Sequence, residues 1–335
     1  MFYSLILLSL LIGINSMSIF YIWLSIEINM MSFIPIILFF NNYYNFSSIK
    51  YFLIQSFSSS LMLFFVLNLY YMNIMKFMMI LLIMSLLMKM GYFPFHMWYL
   101  NLLKDLDWIS GMLLMSIQKI LPFYMLNYTF QIFNNYFYSF YMLNKFNFLF
   151  NNLYIIIILM SLNIFMLIYS NNSIKMFMGV SSINNMSWLI LLIYIDLDLW
   201  VYYYMFYIQI LMNLIMIFDS FNMINFNDIY MINNLLLKII IFFLVLMLMM
   251  MPPLIGFFLK IYSLIYYNIW NILYKVYYIK FKDFYNLLLF KFILSSLLFN
   301  NNNLINNNNL IFGYKINYLS FLMNFIMLMF YWMMN

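Results

Sequence analysis

Phe77-Met-Met-Ile80-Leu-Leu-Ile-Met-Ser85-Leu-Leu-Met-Lys89-Met-Gly91-Tyr-Phe-Pro94 is the stretch on which the fold of this chain turns. Its apolar run is too long for a barrel strand, and lipid tolerates only helices or closed barrels. The run then commits a lysine to apolar surroundings, and a glycine and a proline follow at once. Helical hydrogen bonding is expected to fail at such a point. The stretch therefore reads as a membrane helix that carries a charge and breaks beside it.

The whole chain extends this pattern. Of its 335 residues, 68% are hydrophobic and 7% charged, and mean hydropathy is +0.99. A soluble domain carries roughly 45–50% apolar and about 25% charged residues. At about 20 residues per span, the apolar content suffices for about eleven spans with no sizeable extramembrane domain. Apolar runs predict spans near Phe2–Ile22, Trp23–Phe40, Lys50–Tyr71, Ile74–Phe95, Trp108–Phe130, Phe148–Tyr169, Ile174–Ile195 and Leu199–Phe218. Further runs cover Leu235–Met251, Pro252–Trp270, Phe284–Phe299 and Tyr318–Met334, the first two meeting at Pro252-Pro253 as one broken helix. Short Asn-rich connections are expected at Asn41–Ser47, Gln131–Asn147, Asn171–Ser173, Ser220–Asn234 and Asn300–Asn317. The start, Met1-Phe2-Tyr3-Ser4, has no basic region, so the first run is expected to be a retained span. Lysines alternate too weakly between loops to set an orientation. The fold class is all-α, a polytopic transmembrane helix bundle forming a single domain over residues 1–335.

What the chain lacks narrows its chemistry. It has no cysteine, hence no disulfide, thiolate metal site or iron–sulfur cluster of its own. It also lacks arginine and alanine, while Phe, Ile, Met, Asn, Lys and Tyr abound. Those residues use A/T-rich codons, the mark of a compact organelle genome. The 36 methionines fit a mitochondrial code that reads an isoleucine codon as Met. The net charge of +6 comes from scattered lysines without a basic stripe, which argues against nucleic acid. No phosphate loop, nucleophile elbow or His–acid triad is present. His96, the single histidine, has no partners spaced for a metal. Asp196 and Asp198 read as solvated caps between two spans.

Four charges fall inside apolar spans: Glu27, Lys89, Lys119 and Lys260. Placing one at the bilayer centre costs roughly 2.5–3.5 kcal/mol on insertion scales. Any one alone reads as an ion pair or as helix glue. One glutamate and three lysines in four spans read better as a proton relay, because amines and carboxyls lose and regain protons where arginine stays charged. Lys89 precedes Gly91 and Pro94, and Lys260 follows Pro252, Pro253 and Gly256. Breaks in corresponding halves of a membrane protein mark ion sites. Lys76, Lys145, Lys238 and Lys291 lie near helix ends and snorkel. His96 reads either as a proton shuttle at an aqueous mouth or as an interfacial residue.

Lys89-Met-Gly91-Tyr-Phe-Pro94-Phe-His96-Met-Trp98 with Gln118-Lys119-Ile-Leu-Pro122 resembles the core of the antiporter-like subunits of respiratory complex I. Trp23-Leu-Ser-Ile-Glu27-Ile-Asn29, Lys50-Tyr51-Phe-Leu-Ile-Gln55, Ser181-Ser182-Ile-Asn184 and Pro252-Pro253-Leu-Ile-Gly256 narrow the resemblance to its animal mitochondrial branch. It implies inverted repeats with broken helices, a first half-channel at about 23–130, a second at about 148–270 and C-terminal spans at about 284–334. Glu27 and Lys89 would pair in the first half-channel, Lys119 would be the central relay lysine, and Lys260 would serve the second. The expected proline just before Lys260 is missing from Gly256-Phe-Phe-Leu-Lys260. The resemblance also implies a multi-pass place in the mitochondrial inner membrane, with other membrane-arm subunits and lipid as partners. NADH, FMN, iron–sulfur clusters and ubiquinone would sit on other subunits, with no cofactor here. A free-standing cation–proton antiporter, or a structural subunit with no proton path, are the competing readings.

Overall fold

The structure, a computed structural model, describes residues 1–40, 45–68, 75–138, 173–195, 199–230, 232 and 235–249. Its helices are α1 (Phe2–Asn15), α2 (Ile19–Phe40), α3 (Asn45–Asn68), α4 (Met75–Met90), α5 (His96–Asp105), α6 (Trp108–Met115) and α7 (Ile117–Tyr138). They continue with α8 (Ile174–Ile195), α9 (Leu199–Ser220), α10 (Phe226–Tyr230) and α11 (Leu235–Met249). Among the described residues the only β-type pairing is an isolated bridge between Ser173 and Asn225. The all-α expectation holds. Among the described residues four apolar helical stretches, Ile19–Phe39, Phe46–Asn68, Trp108–Ile132 and Leu199–Ser220, are long enough to cross a membrane. The runs predicted at Phe148–Tyr169, Pro252–Trp270, Phe284–Phe299 and Tyr318–Met334 lie outside the described residues, with Asp196, Asp198 and Lys260.

The chain forms two compact units, Met1–Met160 with Ser182–Leu197, and Ser161–Ser181 with Asp198–Asn335. In the first, α1 packs on α2, α2 on α3, α3 on α4, and α7 against α1, α2 and α4. In the second, α9 packs against α11, with Tyr203, Tyr207, Leu211 and Leu214 of α9 buried.

The helix α3 shows what the solvent demands. Its buried face carries Ser48, Tyr51, Gln55, Ser58, Ser59 and Met62, while Phe46, Ile49, Leu53, Phe57, Phe64 and Leu67 are exposed. The polar residues recur at three- and four-residue intervals, which is one helix face. That face turns inward, the reverse of a water-soluble helix. Many serines close on themselves: Ser9, Ser25, Ser32, Ser58 and Ser85 each donate Oγ–H to the carbonyl three residues earlier. Close approach also shapes the bundle at Gly13, where a Cβ would collide with Leu121 Cδ2 and stand 2.6 Å from Ser25 Oγ.

The break anticipated after Lys89 is present and has a defined form. Gly91 N–H donates to Met88 O at 3.1 Å and Tyr92 N–H to Leu87 O at 2.9 Å. With Gly91 at φ +65°, this is a Schellman C-cap. The chain turns through Pro94 and restarts as α5.

Several sequence expectations are corrected. The first boundary falls at Ser16–Ser18, not at Ile22, because α1 ends there. α3 begins within the expected Asn41–Ser47 connection. The Gln131–Asn147 connection is helical as far as Tyr138, since α7 continues through its Asn-containing end. α5 was not foreseen. The span Trp108–Phe130 is interrupted at Ser116, whose backbone leaves the helical region at φ −115°, ψ −87°.

Gly91→Ala is expected to destabilise the chain by about 1–3 kcal/mol. Its Cβ would need a positive φ and would stand 2.5 Å from Tyr99 Cβ. A thermal melt of the assembled protein checks this.

Candidate functional site

Glu27 sits at the centre of α2, and Lys89 is the last residue but one of α4. Glu27 Oε1 and Lys89 Nζ are 3.7 Å apart, with the side chains 21% and 1% exposed. Among the described residues neither of these two buried atoms has a hydrogen-bond partner, so the two interact by charge and not by a directional bond. The freed helix end beside them is tended: Gln55 Nε2 of α3 donates to the Lys89 carbonyl at 2.9 Å.

Lys119 lies in the first turn of α7. The chain places it between two disruptions, the Ser116 break and Pro122, which withholds the N–H that would close on Gln118 O. Its side chain is wholly enclosed, with 2% of the residue exposed. Its Nζ donates to Tyr99 OH at 2.9 Å and to Ser182 Oγ at 3.3 Å. The neighbouring Gln118 joins two further helices, donating Nε2–H to Asn29 Oδ1 at 3.0 Å and accepting from Tyr51 OH at 3.1 Å.

Asn29, Tyr51, Gln55, Lys89, Tyr99, Gln118 and Lys119 line one cavity, and Glu27 stands behind Lys89. It has room for about one or two water molecules. Three of the four charges singled out from the sequence, Glu27, Lys89 and Lys119, thus belong to one neighbourhood. Lys260 lies outside the described residues. His96 begins α5 stacked on Phe93, with ring centroids 6.0 Å apart, and does not line the cavity. Among the described residues no group of three or more His, Cys, Asp or Glu side chains could hold a metal ion.

Sequence reasoning missed Tyr51, Gln55, Tyr99 and Gln118 as cavity groups, and Ser182 as a partner of Lys119. The four-residue spacing of Tyr51 and Gln55 on an apolar helix was a usable signal. Nothing local to Tyr99 or Ser182 marks them, since they meet Lys119 only through the fold.

Broken helices that turn lysines, a glutamate and amides inward define an antiporter-like membrane subunit. The chain belongs to the NADH:quinone oxidoreductase/Mrp antiporter transmembrane family, whose pattern matches residues 16–282. It is 31% identical over 272 residues to NADH-ubiquinone oxidoreductase chain 2 of Anopheles gambiae, covering 77% of this chain and 74% of that protein. The corresponding chain of Rhipicephalus sanguineus is 33% identical over 306 residues, 89% of this chain and 88% of that one. A chain of respiratory complex I from Thermus thermophilus, solved with bound aureothin, has the same fold with a TM-score of 0.77 at 12% identity. That match covers 96% of this chain and 75% of that chain.

Glu27→Gln is expected to leave Lys89 as an uncompensated buried charge and to cost about 3–5 kcal/mol. Glu27→Gln with Lys89→Met should recover most of the loss. Melting temperatures of the wild type, the two single variants and the double variant measure the coupling.

Proposed function

We propose that the chain is a proton-translocating subunit in the membrane arm of an NADH:ubiquinone oxidoreductase of the mitochondrial inner membrane. Family membership and the animal relatives support the assignment. The observation that carries the proton path is Lys119: an enclosed amine held by hydroxyls, in a cavity it shares with Lys89, the lysine paired to Glu27.

Electron transfer takes place on other subunits, which hold NADH, flavin, iron–sulfur clusters and quinone. Quinone reduction there shifts charge along the membrane arm and drives Glu27 and Lys89 apart or together. At 3.7 Å and an effective dielectric near 20, the pair interacts by about 4 kcal/mol. Moving one charge against 100 mV costs about 2.3 kcal/mol, so the switch is large enough for the task. A change at the pair alters the field at Lys119, which takes up or releases a proton through the amide-lined cavity. Lys260 would continue the path in the second half of the chain, and adjoining antiporter-like subunits and lipid are its partners.

In sealed vesicles bearing the assembled complex, Lys119→Met should lower the number of protons moved per electron. An unchanged ratio would remove Lys119 from the path. On a native gel stained for NADH oxidation, the chain should run in the large active band. Migration alone, without that activity, would favour a free-standing cation–proton antiporter.

A further inference from the structure

The partners of Lys119 are an unusual choice for a buried amine. Its ammonium meets the Tyr99 and Ser182 hydroxyls, which are themselves 2.7 Å apart with either able to donate. The three polar atoms close a triangle. Tyr99 is 1% exposed and Ser182 is fully buried. The tyrosine ring also lies beneath the ammonium, with Nζ 4.2 Å from its centroid.

We propose that Tyr99 and Ser182 form a hydroxyl clamp that holds Lys119 in both its charged and its neutral state, and are positioning residues for proton transfer. This rests on the relay assigned to Lys119 above. A carboxylate only accepts, so it would hold the ammonium and be stranded as an unpaired buried charge once the proton left. A hydroxyl both donates and accepts. When Lys119 is charged, both oxygens accept from Nζ. When it is neutral, an O–H turns to the nitrogen lone pair and the second hydroxyl accepts one of the two N–H groups that remain. One proton leaves Nζ, both hydroxyl protons stay on their oxygens, and no buried charge is orphaned.

The fold builds this clamp through the helix break. Tyr99 reaches Lys119 from α5, the segment that begins just after the turn at Gly91. Its Cβ stands 2.5 Å from where a Gly91 Cβ would be. Only a residue without a side chain at that turn lets α5 come so near, so the break that presents Lys89 also delivers the hydroxyl to Lys119.

The test uses the assembled complex in sealed vesicles, with Tyr99→Phe, Ser182→Ala, Ser182→Thr and Lys119→Met. Turnover per assembled complex, its pH profile and the amount assembled are read together. Tyr99→Phe and Ser182→Ala should assemble normally, slow proton-coupled turnover about tenfold as one hydrogen bond to a charged group is lost, and displace the pH profile. Ser182→Thr, which keeps the hydroxyl, should retain the wild-type profile. The clamp is overturned if Lys119→Met lowers the protons moved per electron while Tyr99→Phe and Ser182→Ala leave turnover and pH profile unaltered. It is also overturned if those two variants lower only the amount assembled. An unchanged proton-to-electron ratio in Lys119→Met instead removes the relay beneath it.

Discussion

Hydrocarbon offers no hydrogen bonds, and that one constraint organises the structure. Every polar group in a span must find a partner inside the protein. On α3 Ser48, Tyr51, Gln55, Ser58 and Ser59 therefore turn inward, while Phe46, Leu53, Phe57, Phe64 and Leu67 turn outward. Once turned inward, Tyr51 and Gln55 have two kinds of partner: the amide of Gln118, and a carbonyl released where α4 stops. The cavity follows from the same necessity. Breaking α4 and interrupting the span at Ser116 create unpaired backbone groups, and the side chains that satisfy them bring polarity to the bundle interior.

Within that interior two lysines receive different treatment. Lys89 meets a carboxylate across 3.7 Å without a hydrogen bond. Lys119 meets neutral hydroxyls at hydrogen-bonding distance. The first arrangement responds to charge, and the second tolerates its coming and going. The proposed relay rests on this contrast between a charge-paired lysine and a hydroxyl-bound one.

Much of this was legible in the sequence, because the strongest signals are local. Apolar runs locate the helices, Gly91 and Pro94 locate the break, and the cost of burying charge singles out Glu27, Lys89 and Lys119. What escaped depends on context. α5 is short, with Asn101, Lys104 and Asp105 among its ten residues, and it looks like the loop expected between spans. The interruption at Ser116 has no glycine or proline at the break itself. Pro122 lies six residues further on, inside the restarted helix. Tyr99 and Ser182 are 83 positions apart, and no pattern in either segment announces that they will share a lysine.

The serines that bond to their own helices have a consequence for how such a chain is to be read. This sequence contains no alanine, so it has no ordinary small apolar residue to place where helices touch. A hydroxyl folded back on the carbonyl one turn earlier presents little more than a methylene to its neighbour. Ser25, packed beside Gly13, fills the niche that alanine occupies in chains with a richer alphabet. Hydropathy summed over such residues makes the spans look wetter than their surfaces are. In a genome that has drifted away from G and C, part of the apparent polarity of a membrane helix is spelling, and only the serine that reaches across to another helix, as Ser182 does, carries chemistry.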